Sequence, residues 1–365
     1  MKQVLKYAGY VVLFLLIGFV VWKFGFIIVW VLIAAVVSFI GQPLVSFFNK
    51  GHIKKWNMPH SLSTLLSLII IVLVLFGLLA IFIPLIVNQA ETISKIDVNQ
   101  LNENLQGPLQ WFDEKLHALG LIPVGQTIQD FIVSKVKSLV NLGSVSALIN
   151  NFFSAAGNVF VGFFSVLFIA FFFLKDENMF EKGLLLIVPV KHHSATHRVI
   201  ADSKNLLRRY FIGVLLQLTG VMSIIALGLW ILGVENALLI GFFGGVMNLI
   251  PYLGPIIGSA IGITLGVTTT LAFGSFNELL PVLIKLCSVF LVANFIDNNV
   301  LVPLIYSSSV KAHPLEIFFV VIMAGSLAGI LGMLLAVPVY TVLRVIAREF
   351  FQKFRLVKKL TDSID

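Results

Sequence analysis

Asn294, Asp297 and Asn298 stand at spacing i, i+3, i+4 inside the apolar stretch ANFIDNNVLVP, residues 293–303. On a helix this spacing puts all three on one face. A carboxylate between two amides suits a short list of tasks: holding a cation, carrying a coupling proton, or accepting a hydrogen bond from a polar solute. A carboxylate within a membrane costs about 2.5–3.5 kcal/mol on insertion scales, so it normally faces protein or water and has a role. The plainer reading is that Asp297, nineteenth in its apolar run from Leu279, lies at the outer interface and is merely solvated.

A second constellation lies upstream, in NLIPYLGPIIGSAIGITLG, residues 248–266. The surrounding stretch from Asn236 to Asn277 has no charged side chain, yet it contains Asn248, Pro251, Tyr252 and Pro255. Proline donates no backbone hydrogen bond and clashes with the preceding turn. In lipid an unsatisfied amide costs roughly several kcal/mol, so broken helices survive only where protein or a water-filled cavity receives the freed groups. Gly254, Gly258, Gly262 and Gly266 follow at four-residue spacing, a ridge that lets another backbone approach closely. One reading is a proline-kinked packing helix. The length, the two prolines and the asparagine favour the other, a discontinuous helix whose ends line a substrate path. Asn248, Pro251, Tyr252, Gly254, Pro255, Asn294 and Asn298 are therefore the candidate substrate-binding residues, and Asp297 the candidate for ion or proton coupling.

Other chemistry has little support. His193 and His197 have a spacing that suits a metal, but no Glu follows the first, so the zinc-protease pattern is absent. No P-loop, Gly-x-Ser-x-Gly motif or pair of membrane aspartates is present. We expect no enzyme, no metal and no cofactor. Cys287 is the single cysteine and can form no intrachain disulfide. KAHPLE, residues 311–316, reads as a helix start with proline in the first turn. Gly325 and Gly329 repeat the small-xxx-small spacing and predict a further close helix contact.

These residues need a membrane scaffold. The chain of 365 residues is 59% hydrophobic and 12% charged, too apolar for a soluble domain. Apolar segments at Tyr7–Trp22, Phe24–Gly41, Leu62–Val87, Phe152–Leu174, Tyr210–Leu232, Asn236–Phe273, Leu279–Ile305 and Leu315–Leu343 approach or exceed the length of a bilayer span. The fold class expected is all-α and polytopic, with about eight transmembrane helices, one of them broken by Pro and Gly. The formal charge of +8 reflects topology rather than nucleic acid, because Lys and Arg collect in cytoplasmic loops. Basic residues flank the first two segments, dominate 175–209 and dominate the tail. If Asn236–Phe273 crosses once, both termini are cytoplasmic; a re-entrant hairpin there is the alternative.

The resulting organisation is 1–87 for the N-terminal helices, 88–150 for an outer segment, and 151–174 for one helix. It continues with a cytoplasmic helical connection at 175–209, a C-terminal membrane core at 210–343 and a basic tail at 344–365. In the outer segment, Leu101, Leu105, Leu109, Phe112, Leu116 and Leu119 have helical spacing, as do Ile128, Phe131, Ile132, Val136, Leu139 and Val140. Two amphipathic helices on the protein's own outer face are expected; a lid or docking element is the alternative.

The sequence resembles the AI-2E family of bacterial membrane proteins, the autoinducer-2 exporter-like permeases. The resemblance rests on FFFLKD (171–176), LGVENALLIGFFGGVMNLIPYLGPIIG (232–258), FIDNNVLVP (295–303), HPL (313–315) and GSLAGILGMLLAVPV (325–339), all in order. The chain departs from the family pattern at Glu177, where glycine is usual, and at Val214, where glutamine is frequent. The resemblance implies an eight-helix transporter of the bacterial cytoplasmic membrane and a homo-oligomer, a pentamer being one arrangement. It also implies export of the autoinducer-2 quorum-sensing signal or sodium/proton antiport.

Three functions follow for comparison. The leading one is a permease moving a small polar solute by alternating access, with Asn248, Tyr252, Asn294 and Asn298 hydrogen-bonding it and Asp297 carrying a proton. The second is a monovalent cation/proton antiporter with Asp297 as ion ligand, weakened by the lack of a second acid deep in the apolar spans. The third is a non-transporting scaffold or channel. The partners are lipid and a small polar solute or monovalent cation, with no nucleic acid.

Overall fold

The computed structural model describes residues 23–49, 58–94, 145–176, 178–273, 278–306 and 313–351. Their elements are α1 (Gly25–Asn49), α2 (His60–Ser94), α3 (Val145–Lys175), α4 (Met179–Ile187), a 3-10 turn (Val190–His192), α5 (His193–Ile231), α6 (Ala237–Met247), α7 (Leu253–Ala272), α8 (Leu279–Ile296), α9 (Val302–Tyr306) and α10 (Pro314–Phe351). A π turn, Asp297–Leu301, joins α8 to α9. No strand occurs among the described residues, as expected where lipid forces every backbone group to pair within its own segment. The protein is an all-α, multi-pass membrane protein. Against the eight spans expected, six helices among the described residues are long and apolar enough to cross. The segment Tyr7–Trp22, both amphipathic helices of 88–150 and most of the basic tail lie outside the described residues.

The chain forms two compact units, one from Met1–Val74 with Phe153–Thr196, the other from Leu75–Phe152 with His197–Asp365. In the first, Ala34 and Val45 of α1, Leu68 of α2 and Val166, Ala170 and Leu174 of α3 form a buried cluster. Small residues set the spacing there: a Cβ at Gly41 would lie 3.1 Å from Leu174 Cδ1 and 3.2 Å from Ile71 Cδ1. The His60 ring hydrogen-bonds the Leu174 carbonyl at 3.2 Å and the Asn49 amide at 2.7 Å. His193, a residue of the metal-like spacing, instead bonds the Val188 carbonyl through Nε2 at 3.0 Å.

The second unit holds the candidate site. Its core joins Val221, Ile225 and Leu229 of α5 to Ile240 of α6 and to Leu286, Val289, Phe290 and Ala293 of α8. α5 runs unbroken from the basic connection into the apolar core. Its charged start is tied to the end of α10 by Arg198–Glu349 and Arg348–Asp202 ion pairs.

The stretch 236–273 is not the single broken crossing that the charge argument prefers. A Cβ at Gly258 would lie 3.1 Å from the Gly244 carbonyl oxygen, one at Gly262 3.0 Å from Ile240 Cγ2, and one at Gly254 2.7 Å from Asn248 Cα. As residue numbers rise along α7 their neighbours on α6 fall, so the two helices form an antiparallel hairpin with its tip at 248–252. Eleven residues of α6 span only about 16 Å, too little for hydrocarbon about 30 Å thick. The prolines mark where the chain reverses rather than where a straight helix is interrupted.

α10 also departs from the sequence reading, which takes 315–343 as one span. Ala328 (φ −135°, ψ 19°) and Gly329 (φ 60°, ψ −144°) are not helical. A Cβ at Gly325 would lie 2.9 Å from Met333 Cγ, and one at Gly332 would strike the Ala324 carbonyl. Tyr340 donates to Glu316 Oε2 at 2.7 Å. The arms 314–327 and 330–351 therefore fold back on each other. Gly329 meets nothing within 4 Å and serves the turn, not the helix contact its spacing suggests. Gly325 does meet a helix, the other arm of its own hairpin.

Two outcomes test this architecture. With Cys287→Ser as background, Glu316→Cys and Tyr340→Cys should cross-link through a short bifunctional reagent. In a straight helix these positions, 24 residues apart, would be about 36 Å apart and would not react. Gly245→Ala should lower the detergent Tm by an overpacking penalty of about 1–3 kcal/mol, because its Cβ would lie 2.9 Å from the Leu218 carbonyl. Gly77→Ala, with nothing within 4 Å, should not lower it.

Candidate functional site

The α6–α7 tip owes its shape to local turns. Leu249, Ile250 and Gly254 amides bond Val246, Met247 and Ile250 carbonyls at 3.1, 3.0 and 2.8 Å, and Leu253 bonds Pro251 at 2.8 Å. Pro251 and Pro255 add no donor that would need a partner, and Pro255 sits in the first turn of α7, where a missing amide is harmless. Tyr252 is the strained point, at φ 65° and ψ −43°, a conformation that L residues other than Gly seldom adopt and that clusters at functional sites. Its ring meets Phe318 edge-on, with centroids 6.3 Å apart.

On the opposite wall the helix widens. The Val302 amide bonds the Asp297 carbonyl, five residues back, and the wider turn relieves the clash that Pro303 would impose on a regular helix. The three polar residues of the i, i+3, i+4 spacing reach one cavity but differ in burial. Asp297 is buried, 3% exposed, while Asn294 is half-buried and Asn298 exposed. Asn298 Nδ2 donates to the Asn294 carbonyl at 2.9 Å.

These two pieces meet at a cavity of about 510 Å³. Asn248, Pro251, Tyr252, Pro255, Asn294, Asp297 and Asn298 all line it; Gly254, behind the tip, does not. Gly254, Gly258, Gly262 and Gly266 are buried between helices, with Gly262 against Phe290 and Gly266 against Leu286 of α8. Their work is to let the tip stand where it does. Gly325 and Gly329 are not among the lining residues.

The structure adds one residue the sequence reading overlooks. Gln217 of α5, 8% exposed, donates through Nε2 to both Asp297 oxygens, at 2.8 and 3.0 Å. Its signal was available: Tyr210, Val214 and Gln217 recur at i, i+4, i+7 on one helix face, and all three line the cavity. Glu316, half-buried and hydrogen-bonded by Tyr340 in the first turn of α10, precedes the lining residue Ile317 in sequence but does not itself line the cavity.

Asn248 is the most informative side chain. It is 8% exposed, lines the cavity, and neither its Nδ2 nor its Oδ1 has a hydrogen-bond partner among the described residues. Leaving such a group unmet costs about 1–3 kcal/mol, so the position makes physical sense if something in the cavity meets it. The base of the same hairpin shows the contrast, with every amide engaged. Gln89 accepts from Asn236 Nδ2 at 2.7 Å and Thr269 at 3.1 Å, and donates to Thr268 at 3.4 Å.

A sequence profile of the AI-2E family transporters matches residues 10–352. YueF of Bacillus subtilis, named as a transport protein, is 29% identical over 340 residues, which cover 90% of this chain and 84% of the relative. The AI-2 transport protein TqsA of Escherichia coli is 24% identical over 324 residues, 87% of this chain and 85% of its own. YrrI of Bacillus subtilis, also named as a transport protein, is 30% identical over 185 residues, about half of each chain (51% and 50%).

Asn248→Leu separates a solute contact from a structural one. Because the amide has no protein partner to lose, the detergent Tm should hold or rise, while solute flux in liposomes should fall at least about tenfold. A drop in Tm with flux intact would show that Asn248 belongs to the scaffold alone.

Proposed function

Because the chain belongs to the AI-2E transporter family, we propose that it is a permease carrying a small, hydrogen-bonding solute through the cavity between the α6–α7 tip and the π turn. The observation that carries this reading is the buried, unpartnered Asn248 amide in a cavity that Asp297 also lines. Asn294 and Asn298 extend the polar wall. The volume lies within the range of about 300–1,000 Å³ usual for small-molecule sites. Relatives are named as transport proteins, TqsA for AI-2. A hydroxylated solute of that class is the finer form of the reading, with export as its direction.

Transport requires that the cavity open to each side in turn, and the strained Tyr252 tip is the element suited to move. Asp297 would carry the coupling proton, its other partner being the neutral amide of Gln217. In this reading the protein lies in a cytoplasmic membrane as a homo-oligomer, with the basic connection before α5 and the end of α10 that pairs with it facing the cytoplasm.

A second reading, monovalent cation/proton antiport, draws support from the same carboxylate: among the described residues no Lys or Arg pairs with Asp297. The two separate in proteoliposomes under an imposed pH step. The permease reading expects flux of organic solutes that responds to the step in wild type and ceases to respond in Asp297→Asn, with Asp297→Glu in between. Sodium-driven proton movement without organic flux would favour antiport. Unchanged coupling in Asp297→Asn would remove that residue from the mechanism.

A further inference from the structure

We propose that the solute accepted by this cavity is a small organic cation, an ammonium group carried with a hydroxyl on a short chain. The inference rests on the permease reading and narrows it to a substrate class. It begins from charge. Among the described residues lining the cavity Asp297 is the sole acid, and there is no Lys, Arg or His. An anion would meet a wall of one sign with nothing to offset it, whereas a cation would offset the carboxylate whenever its coupling proton has left.

The hydrogen bonding points the same way. A carboxylate has about four acceptor positions and no donor when ionised. Gln217 fills part of that capacity with a single nitrogen that reaches both oxygens. A carboxylate met by a single amide nitrogen keeps acceptor positions open. Asn248 offers an unused acceptor and an unused donor in the same cavity. A cation alone would use only the acceptors. A cation with a hydroxyl group uses all of them, since a hydroxyl both donates and accepts.

Size and aromatic content separate this class from an inorganic ion. A bare monovalent ion would leave most of about 510 Å³ to water. Tyr210 and Tyr252 also line the space, and aromatic faces attract organic cations.

The test uses the purified full-length chain and two pairs of probes that differ in charge but not in outline: choline against 3,3-dimethyl-1-butanol, and ethanolamine against ethylene glycol. Binding is read as the rise in detergent Tm with probe concentration, and transport as uptake into proteoliposomes. Expected is a saturable response to at least one of the cations, with its neutral counterpart at least about tenfold weaker. Asp297→Asn should weaken the cation response at least about tenfold, while Asp297→Glu, which keeps the charge, retains it. Equal binding of cation and neutral counterpart, full cation binding by Asp297→Asn, or a response that sodium chloride reproduces at equal concentration would each overturn the proposal. If neutral polyols are carried and the cations are not, the permease reading stands and the assignment of charge falls. If neither class binds or moves, both fall.

Discussion

A Cβ at Gly254 would strike the Met247 carbonyl, and one at Gly241 would lie 2.8 Å from the Ala226 backbone nitrogen. The C-terminal unit depends on that closeness of backbone to backbone. Lipid supplies no hydrophobic drive for helices to associate, so contact must come from packing over small residues. Glycines on two faces of α6 let it nest against α5 and α7 together, and Gly262 and Gly266 carry α7 onto Phe290 and Leu286 of α8. The polar tip is thereby held against protein and a cavity, the environments in which a chain reversal within a membrane protein is tolerated.

The same reasoning explains why the hairpin's ends differ. At its base, Asn236 takes a left-handed conformation (φ 55°), and its amide joins Gln89 and Thr269 in a closed set of hydrogen bonds. Phe82 of α2 stacks on Phe242 of α6 at 3.7 Å. At its tip, Tyr252 is strained and Asn248 is unpaired. Stability is concentrated at one end and adaptability at the other, the distribution expected where strain persists at a functional site because the surroundings over-determine it.

Much of this was legible in the sequence, and the gaps have identifiable causes. The charge-free run with Pro251 and Pro255 announced a break, and the four-residue glycine spacing announced the face that packs. Neither could give direction, because a proline signals that a helix stops and is silent on whether the chain continues or doubles back. The fold in α10 was harder still: GSLAGILG reads as helix-packing glycines, and the positive φ of Gly329 leaves no trace in composition. Gln217 escaped because a lone amide among leucines is easily read as a tolerated polar residue. Its partner, eighty residues away, becomes visible only once α5 and α8 are side by side. For Asp297, Asn294 and Asn298 the spacing on one helix face places them at one cavity, but spacing alone does not give the deeper burial of Asp297.

That π turn has a consequence for how such chains vary in length. A turn closed by a five-residue hydrogen bond is, in register, an ordinary helix with one residue inserted. Deleting one of residues 298–301 would turn the Val302–Asp297 bond into an ordinary four-residue helical bond and leave Val302 close to its place. Pro303 would then sit in a regular helix, with its ring against the preceding turn. Substitutions across this stretch change what the wall offers to a solute. A single deletion would instead strain the backbone that carries the wall, so an alignment gap here has a different meaning from a mismatch.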